Sequence, residues 1–158
     1  MINISIPGLE PISIKYLASD FSGTLSVDGI VSPGIIDRLN QLAQLVEIHI
    51  LTADTHGKVD EALAGVDCRL VKLDSTAGLQ DIQKEKYIEQ LGSNAVMAIG
   101  NGRNDRLMLK RAIIGVAVCL DEGCSVEALK SADIIIKSAE SALDLLLFPN
   151  RLKATLRI

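Results

Sequence analysis

Tryptophan is absent and aromatic rings are scarce, with two Tyr and two Phe in 158 residues. So few rings leave little platform for stacking unpaired bases, which argues against single-stranded nucleic-acid binding. The core must then be aliphatic. Positive charge is not in excess: 16 Lys and Arg stand against 20 Asp and Glu, a net charge of -4. That balance argues against duplex DNA and anionic membranes, which attract clustered cations. The longest apolar stretch, Ala112 to Leu120, is interrupted by Gly115 and falls short of the ~20 residues that span a bilayer. The amino terminus lacks the basic start and long apolar run of a secretory signal. Cys68, Cys119 and Cys124 are an odd number without metal-ligand spacing, and read as reduced residues in or near the core. These absences lead to the expectation of a cytoplasmic protein that binds neither nucleic acid nor membrane.

Hydrophobic residues make up 48% of the chain and charged ones 23%, the balance of a globular rather than a disordered protein. The length suits one domain, residues 1–158. Residues 1–11 hold two prolines and a glycine, and read as a lead-in or a marginal edge strand. Ile12 to Ala18 reads as a strand buried on both faces. Thr24 to Val31 alternates around Asp28-Gly29, a hairpin signal. Ser32-Pro33 caps and starts a helix with Ile35, Ile36, Leu39, Leu42, Ala43 and Val46 inward. Strands follow at Glu47–Leu51, Cys68–Leu73, Ala95–Ile99, Ile113–Cys119 and Ile134–Ile136. Between them lie helices from about Gly57 to Ala64, Gln80 to Leu91 (Ile82, Ile88 and Leu91 inward), Arg106 to Ala112 and Glu122 to Ser131. A leucine-rich final helix, Ala139 to Leu147, is stopped by Pro149 and followed by a basic tail. Strand and helix alternate throughout, which predicts an α/β fold: a three-layer sandwich with a mostly parallel sheet.

Three of the strand ends carry polar residues. The first is Asp20-Phe21-Ser22-Gly23-Thr24, the second Thr52-Ala53, the third Gly100-Asn101-Gly102-Arg103-Asn104-Asp105. In open α/β sheets ligands bind at the carboxyl ends of strands. A carboxylate there serves as nucleophile or metal ligand, although Asp, Ser and Thr also cap helices and turns. Asp105 could cap the helix after it, and Asn101 and Asn104 could be turn residues. Lys84 has a rival in Lys86. Arg103 and Arg106 suit a solvated surface, His49 a strand position with a structural partner, and His56 either substrate or solvent.

Asp20-x-Ser22-x-Thr24, Thr52, Lys84 and the Gly100–Asp105 loop, in that order, resemble the four motifs of the haloacid dehalogenase superfamily over roughly residues 12–136. Within it, Lys84 with Ile88 and Leu91, then Gly-Asn-Gly-Arg-Asn-Asp, Met108-Leu109 and Ala112, is similar to the phosphorylation domain of P-type ATPases and to small soluble proteins that consist of that domain. The resemblance implies a Rossmann-like, capless core with a β-hairpin flap, and a phosphatase that works through an aspartyl phosphate. It implies Asp20 as nucleophile, Thr52 as donor to the phosphoryl group and Lys84 as its counter-charge. Mg²⁺ would be held by Asp20, the Ser22 carbonyl, Asn101 and Asp105, and Ser22, Gly23, Thr24, Ala53 and Asn104 would line the substrate.

Two positions depart from the family pattern. Ser22 stands where most phosphatases of the superfamily have an acid/base Asp, a group that contributes about 10²–10⁴-fold. Asn101 stands where a metal-ligating Asp is usual. Slow turnover and weak metal binding are expected, and a non-catalytic relative that binds phosphate or a partner is the alternative. The spacings between motifs leave no room for a cap; the resemblance implies that such a capless site acts on a macromolecular phosphorylated substrate or is covered by self-association, with the leucine-rich helix and the hairpin as candidate surfaces for the latter. A response-regulator receiver is excluded, because its nucleophile follows the third strand and an acidic pair follows the first.

Overall fold

The computed structural model describes residues 1–53, 58–75 and 79–158. The Ile12–Ala18 segment divides at Lys15 into strands on two sheets. Ile12 and Ile14 are buried on either side of Ser13, a period-two pattern, and this short strand pairs antiparallel with the amino terminus: β1 is Ile2–Ile4 and β2 is Ile12–Ile14. Beyond the exposed Lys15, Leu17, Ala18 and Ser19 are all buried, as parallel strands covered on both faces require. They belong to β3 (Tyr16–Ser19), the first strand of a second, six-stranded sheet.

The other members of that sheet are β4 (Glu47–Thr52), β5 (Arg69–Lys72), β6 (Val96–Gly100), β7 (Ile114–Val118) and β8 (Ile134–Ile136). Their order is β5-β4-β3-β6-β7-β8, and every pairing is parallel. The chain therefore builds outward from β3 to one edge and then returns to β3's other side. Between β3 and β6 the direction of winding reverses, the point where doubly wound sheets open a crevice at their carboxyl ends.

Helices α1 (Pro33–Ala43), α2 (Lys58–Ala62), α3 (Gln80–Leu91), α4 (Arg106–Arg111), α5 (Val126–Ser131), α6 (Ala139–Leu147) and α7 (Pro149–Leu156), with 3-10 turns at Ser93–Ala95 and Arg103–Asp105, complete the described elements. Ile35, Leu39, Leu42, Leu143 and Leu146 share one aliphatic core with Leu17, Ile48 and Ile50. Ile88, Met108, Leu109 and Ala128 form a second with Ala18, Leu51 and Ala98. The two cores lie on opposite faces of the sheet, so the sandwich has three layers.

Ser32 caps α1 by accepting from the Ile35 N–H, with Pro33 at the first turn. The Asp28-Gly29 hairpin is present as a two-residue turn. Both residues have positive φ, 52° and 78°, as a type I′ turn demands, and Val27 and Ile30 exchange N–H···O bonds of 3.1 and 2.9 Å. Between β3 and β4 the chain holds only this turn and α1, and among the described residues between β4 and β6 only α2, β5, α3 and a 3-10 turn.

Several local expectations change. Ile82 is 39% exposed, and the buried positions of α3 are Lys84 and Ile88. Residues four apart share a helix face while Ile82 lies about 200° around from Lys84. Helix α5 begins at Val126 rather than Glu122, because Ser125 caps it and Gly123, at φ 83°, belongs to a turn. Pro149 opens α7 instead of leading into a tail; at the first helical position its missing N–H costs no bond. Leu143, Leu145 and Leu146 of α6 are buried in the core, which removes them as an oligomer surface. His56 and the expected helix start at Gly57 lie outside the described residues.

Candidate active site

The carboxyl ends of β3, β4 and β6 border one cleft of about 660 Å³, lined by Asp20, Ser22, Thr52, Ala53, Lys84, Asn101 and Asn104 among others. Asp20 is the residue after β3, and its N–H donates to the Ile99 carbonyl at 2.9 Å. Its carboxylate is thus carried on the rigid edge of the central strand.

At the centre is a charge bridge. Lys84 Nζ donates to Asp20 Oδ1 at 2.7 Å and to Asp105 Oδ1 at 2.6 Å. Lys84 comes from α3, more than sixty residues along the chain from Asp20, and its side chain is 1% exposed. Lys86 is exposed, so the two candidate lysines are resolved by the helix face. Asp105 is fully buried. Its other oxygen accepts from the backbone N–H groups of Asn101 at 3.0 Å and Gly102 at 2.8 Å. Asp105 consequently stands behind the cleft wall and fixes both the lysine and the loop after β6. Gly100 makes this possible: a Cβ there would stand 2.5 Å from Asp105 Cγ.

Two carboxylates facing one ammonium leave the cluster with a surplus negative charge. Burial first, and the Asp105 carboxylate second, raise the Asp20 pKa to about 6 against the pull of Lys84. Burial alone would favour the neutral amine of Lys84, but Asp20 and Asp105 outweigh it and its pKa is raised.

Thr24 is buried and directs its hydroxyl between Asn101 Oδ1, 3.1 Å away, and Asp20 Oδ2, 3.4 Å away. Gly23, at φ 71°, lets the loop turn back beneath Asn101, whose amide nitrogen occupies the space a side chain would need. Asn101 Nδ2 donates to the Gly123 carbonyl at 3.1 Å. Ser22 is exposed at the cleft rim and Thr52 is buried at its wall. Asn104 donates to Gln80 Oε1 at 3.0 Å.

Other candidates turn away. Arg106 pairs with Asp81 at 2.7 Å, and the exposed Arg103 lies 3.6 Å from Glu127. His49 Nδ1 lies 2.8 Å from the Tyr87 hydroxyl, as a strand residue with a structural partner. The Asp28-Gly29 turn borders the cleft, as its place after Asp20 suggested, whereas sequence reasoning missed Lys58 and Gln80 as cleft residues. Lys58 and Gln80 are the first described residues of α2 and α3, and a polar residue at a helix start was the available signal.

The oxygens at the cleft that could hold a cation are those of Asp20, the Ser22 carbonyl and Asn101. All are hard donors, and one is a carboxylate. Mg²⁺ suits such a set, because it commonly keeps several waters and uses one or two carboxylates plus substrate oxygens. Among the described residues no group of three or more His, Cys, Asp or Glu could hold a metal ion, consistent with Asn101 standing where a carboxylate would add charge.

Residues 76–142 match the family model of a haloacid dehalogenase-like hydrolase. The chain belongs to the haloacid dehalogenase-like hydrolases. An uncharacterised protein of Methanocaldococcus jannaschii is 46% identical over 84 residues, covering 51% of this chain and 90% of that protein. The ATP-binding subunit 1 of a potassium-transporting ATPase of Nostoc is 29% identical over 134 residues, 83% of this haloacid dehalogenase-like chain but 18% of the subunit. In fold, the 3-deoxy-D-manno-octulosonate 8-phosphate phosphatase of Moraxella catarrhalis, solved with magnesium, phosphate and KDO, has a TM-score of 0.71 at 19% identity and covers 91% of this chain and 94% of its own. Among the described residues no helix is long and apolar enough to cross a membrane.

Proposed function

We propose that residues 1–158 act as one capless phosphohydrolase domain that cleaves phosphate monoesters through an aspartyl phosphate on Asp20. The observation that carries this reading is the Lys84 bridge between Asp20 and Asp105 at the carboxyl end of the central strand. Phosphoryl transfer needs an in-line nucleophile and fixed positive charge more than covalent assistance. Asp20 forms the oxygen–phosphorus bond as the ester oxygen leaves, and that oxygen takes its proton from water. A second water then attacks phosphorus, breaking the acyl phosphate and restoring the carboxylate. Lys84 balances the charge that collects on Asp20 and the phosphoryl oxygens. Thr52 and the Ala53 backbone donate to those oxygens, while Gly23, Thr24 and Asn104 shape the surrounding wall.

Mg²⁺ would be held by Asp20, the Ser22 carbonyl and Asn101, with Asp105 behind them, and supplies charge neutralisation to the phosphoryl group. Ser22 carries no carboxylate to move protons, so hydrolysis of the acyl phosphate is the slow step. The similarity to the Moraxella enzyme, solved in complex with magnesium, phosphate and KDO, supports a phosphorylated small molecule as substrate. A cleft without a cap is then covered by self-association. Ile30, 75% exposed on the turn beside the cleft, supports this.

The test is phosphate release from a panel of phosphate monoesters with and without Mg²⁺, for wild type and Asp20→Asn. Metal-dependent release that the variant lacks is expected; equal release by both removes Asp20 from the mechanism. The second reading, a phosphate-binding relative without turnover, is favoured by one observation. The Asn101 amide is engaged on both sides, by Thr24 and by the Gly123 carbonyl. Binding of beryllium fluoride with no release from any ester would select it.

A further inference from the structure

The turn after β7 carries two thiols that the proposed chemistry does not use. The Cys119 N–H donates to the Ile136 carbonyl at 2.9 Å, and the Gly123 N–H donates to the Leu120 carbonyl at 2.9 Å. Leu120 and Gly123 form an antiparallel bridge, so Asp121 and Glu122 are the two residues of a tight turn. Cys119 and Cys124 are the next facing positions on its arms. The Cys119 thiol lies close enough to hold the Cys124 pKa up, both residues are half-buried, and the Cys124 thiol donates to the Ser125 carbonyl at 3.9 Å. Cys68, at the opposite edge of the sheet beside β5, is free.

The turn and the residue that follows Cys124 are tied to the cleft at three points. The Gly123 carbonyl accepts from Asn101 Nδ2 at 3.1 Å. The Ser125 N–H, immediately after Cys124, donates to the Asn101 carbonyl at 2.8 Å. The Glu122 carboxylate accepts from the Asp28 N–H at 2.8 Å. We propose that Cys119 and Cys124 form a reversible intramolecular disulfide, a modification site whose closure moves the turn and, through it, Asn101 and the Asp28 turn.

The oxidant is a low-molecular-weight disulfide. The Cys119 thiolate attacks one of its sulfurs and expels the other as a thiolate, which takes up a proton. Cys124 then loses its proton and attacks the Cys119 sulfur, expelling the second reagent thiolate. Two electrons and two protons pass from the pair to the reagent, which leaves as two thiols. Burial and the neighbouring thiol push Cys124 up to about 12, so Cys124 holds its proton and the first attack falls to Cys119. Reducing thiols reverse both steps.

The test incubates the folded chain with oxidised glutathione, alkylates the remaining thiols and weighs the intact protein. Loss of two hydrogens is expected, with Cys68 alone alkylated. Closing so short a loop should raise Tm by on the order of 5 °C. The amide signals of the Asn101 side chain, Asp28 and Ser125 should shift, and dithiothreitol should restore them. Cys119→Ser and Cys124→Ser should show none of these changes. Stable glutathione adducts on both cysteines, or a disulfide that forms only in denaturant, would overturn the site. A disulfide that forms natively but leaves the Asn101 and Asp28 signals in place would overturn its coupling to the cleft.

Discussion

A methyl group on Gly100 would stand 2.5 Å from Cγ and 2.6 Å from Cβ of Asp105. Neither side can give way. Asp105 is fully buried, with one oxygen on Lys84 and the other on two backbone N–H groups, and Gly100 is the last residue of β6, hydrogen-bonded into the sheet. Gly100→Ala should therefore displace the Asp105 side chain and cost about 1–3 kcal/mol as an overpacked site. Urea unfolding checks the stability, and loss of any phosphatase activity beyond that explained by unfolded protein checks the displacement of Lys84.

Removing the lysine exposes the electrostatics directly. Lys84→Met leaves Asp20 and Asp105 facing each other without a counter-charge, and stripping one partner from a buried ion pair costs about 3–5 kcal/mol. Asp20→Asn in the same background should recover part of that loss, because one buried carboxylate disappears. A double-mutant cycle measured at pH 7.5 reads this coupling. Strict additivity of the two changes would show that the bridge is not formed in solution.

The motifs were legible for a physical reason. Strand ends in a parallel sheet must carry polar residues where the apolar run stops, so Asp20, Thr52 and Asn101 stood out against Leu17, Ile50 and Ile99. The choice of Lys84 over Lys86 needed the helix face, and a buried lysine breaks the apolar periodicity that normally reveals that face. The misplacement of Ile82 follows from the same cause. Pro149 was ambiguous because proline both ends helices and opens them. The start of α5 turned on Gly123 and Ser125, whose turn and cap compete with the helix-favouring Glu122. The division at Lys15 was readable from the single charged residue in the run, since Ile12 and Ile14 alternate with Ser13 and Leu17-Ala18 does not.

The pH dependence of stability should have two opposing components. Burial lowers the His49 pKa, and among the described residues its Nε2 has no hydrogen-bond partner. A depressed histidine leaves the unfolded chain binding more protons, so its contribution is present above about 6.5 and is lost as pH falls. Asp20 has the opposite sign. Its folded pKa is raised from 3.8 to about 6, so the folded state holds the extra proton between those values. The cost of its ionisation, about 3 kcal/mol for two pH units, is fully present above pH 6 and is relieved as pH falls. Asp20→Asn should accordingly raise Tm at pH 7.5 while abolishing turnover, and the gain should shrink toward pH 4. His49→Gln should reduce the acid-side loss. A Tm increase for Asp20→Asn that does not vary with pH would contradict the assigned ionisation.

Ser22 and Asn101 offer the sharpest separation of the two functional readings. Ser22 is exposed at the cleft rim, so Ser22→Asp should change stability little, and surface substitutions typically stay within ~0.5 kcal/mol. Asn101 is different. Its Nδ2 donates to the Gly123 carbonyl at 3.1 Å, and Asn101→Asp replaces that donor with an oxygen facing an oxygen, close to the Asp20 carboxylate. Without metal, Asn101→Asp should lower Tm. With Mg²⁺ the same added charge becomes favourable, since a full negative charge near a divalent ion outweighs an amide dipole at equal distance. The variant should then be more strongly stabilised by Mg²⁺ than wild type. Ser22→Asp should act on turnover at saturating Mg²⁺, because it supplies the group that moves protons during hydrolysis. The double variant should release phosphate faster than wild type in the steady state. A double variant that is folded, stabilised by Mg²⁺ and silent on every ester would favour the phosphate-binding reading, because the carboxylates alone would then not be what turnover lacked.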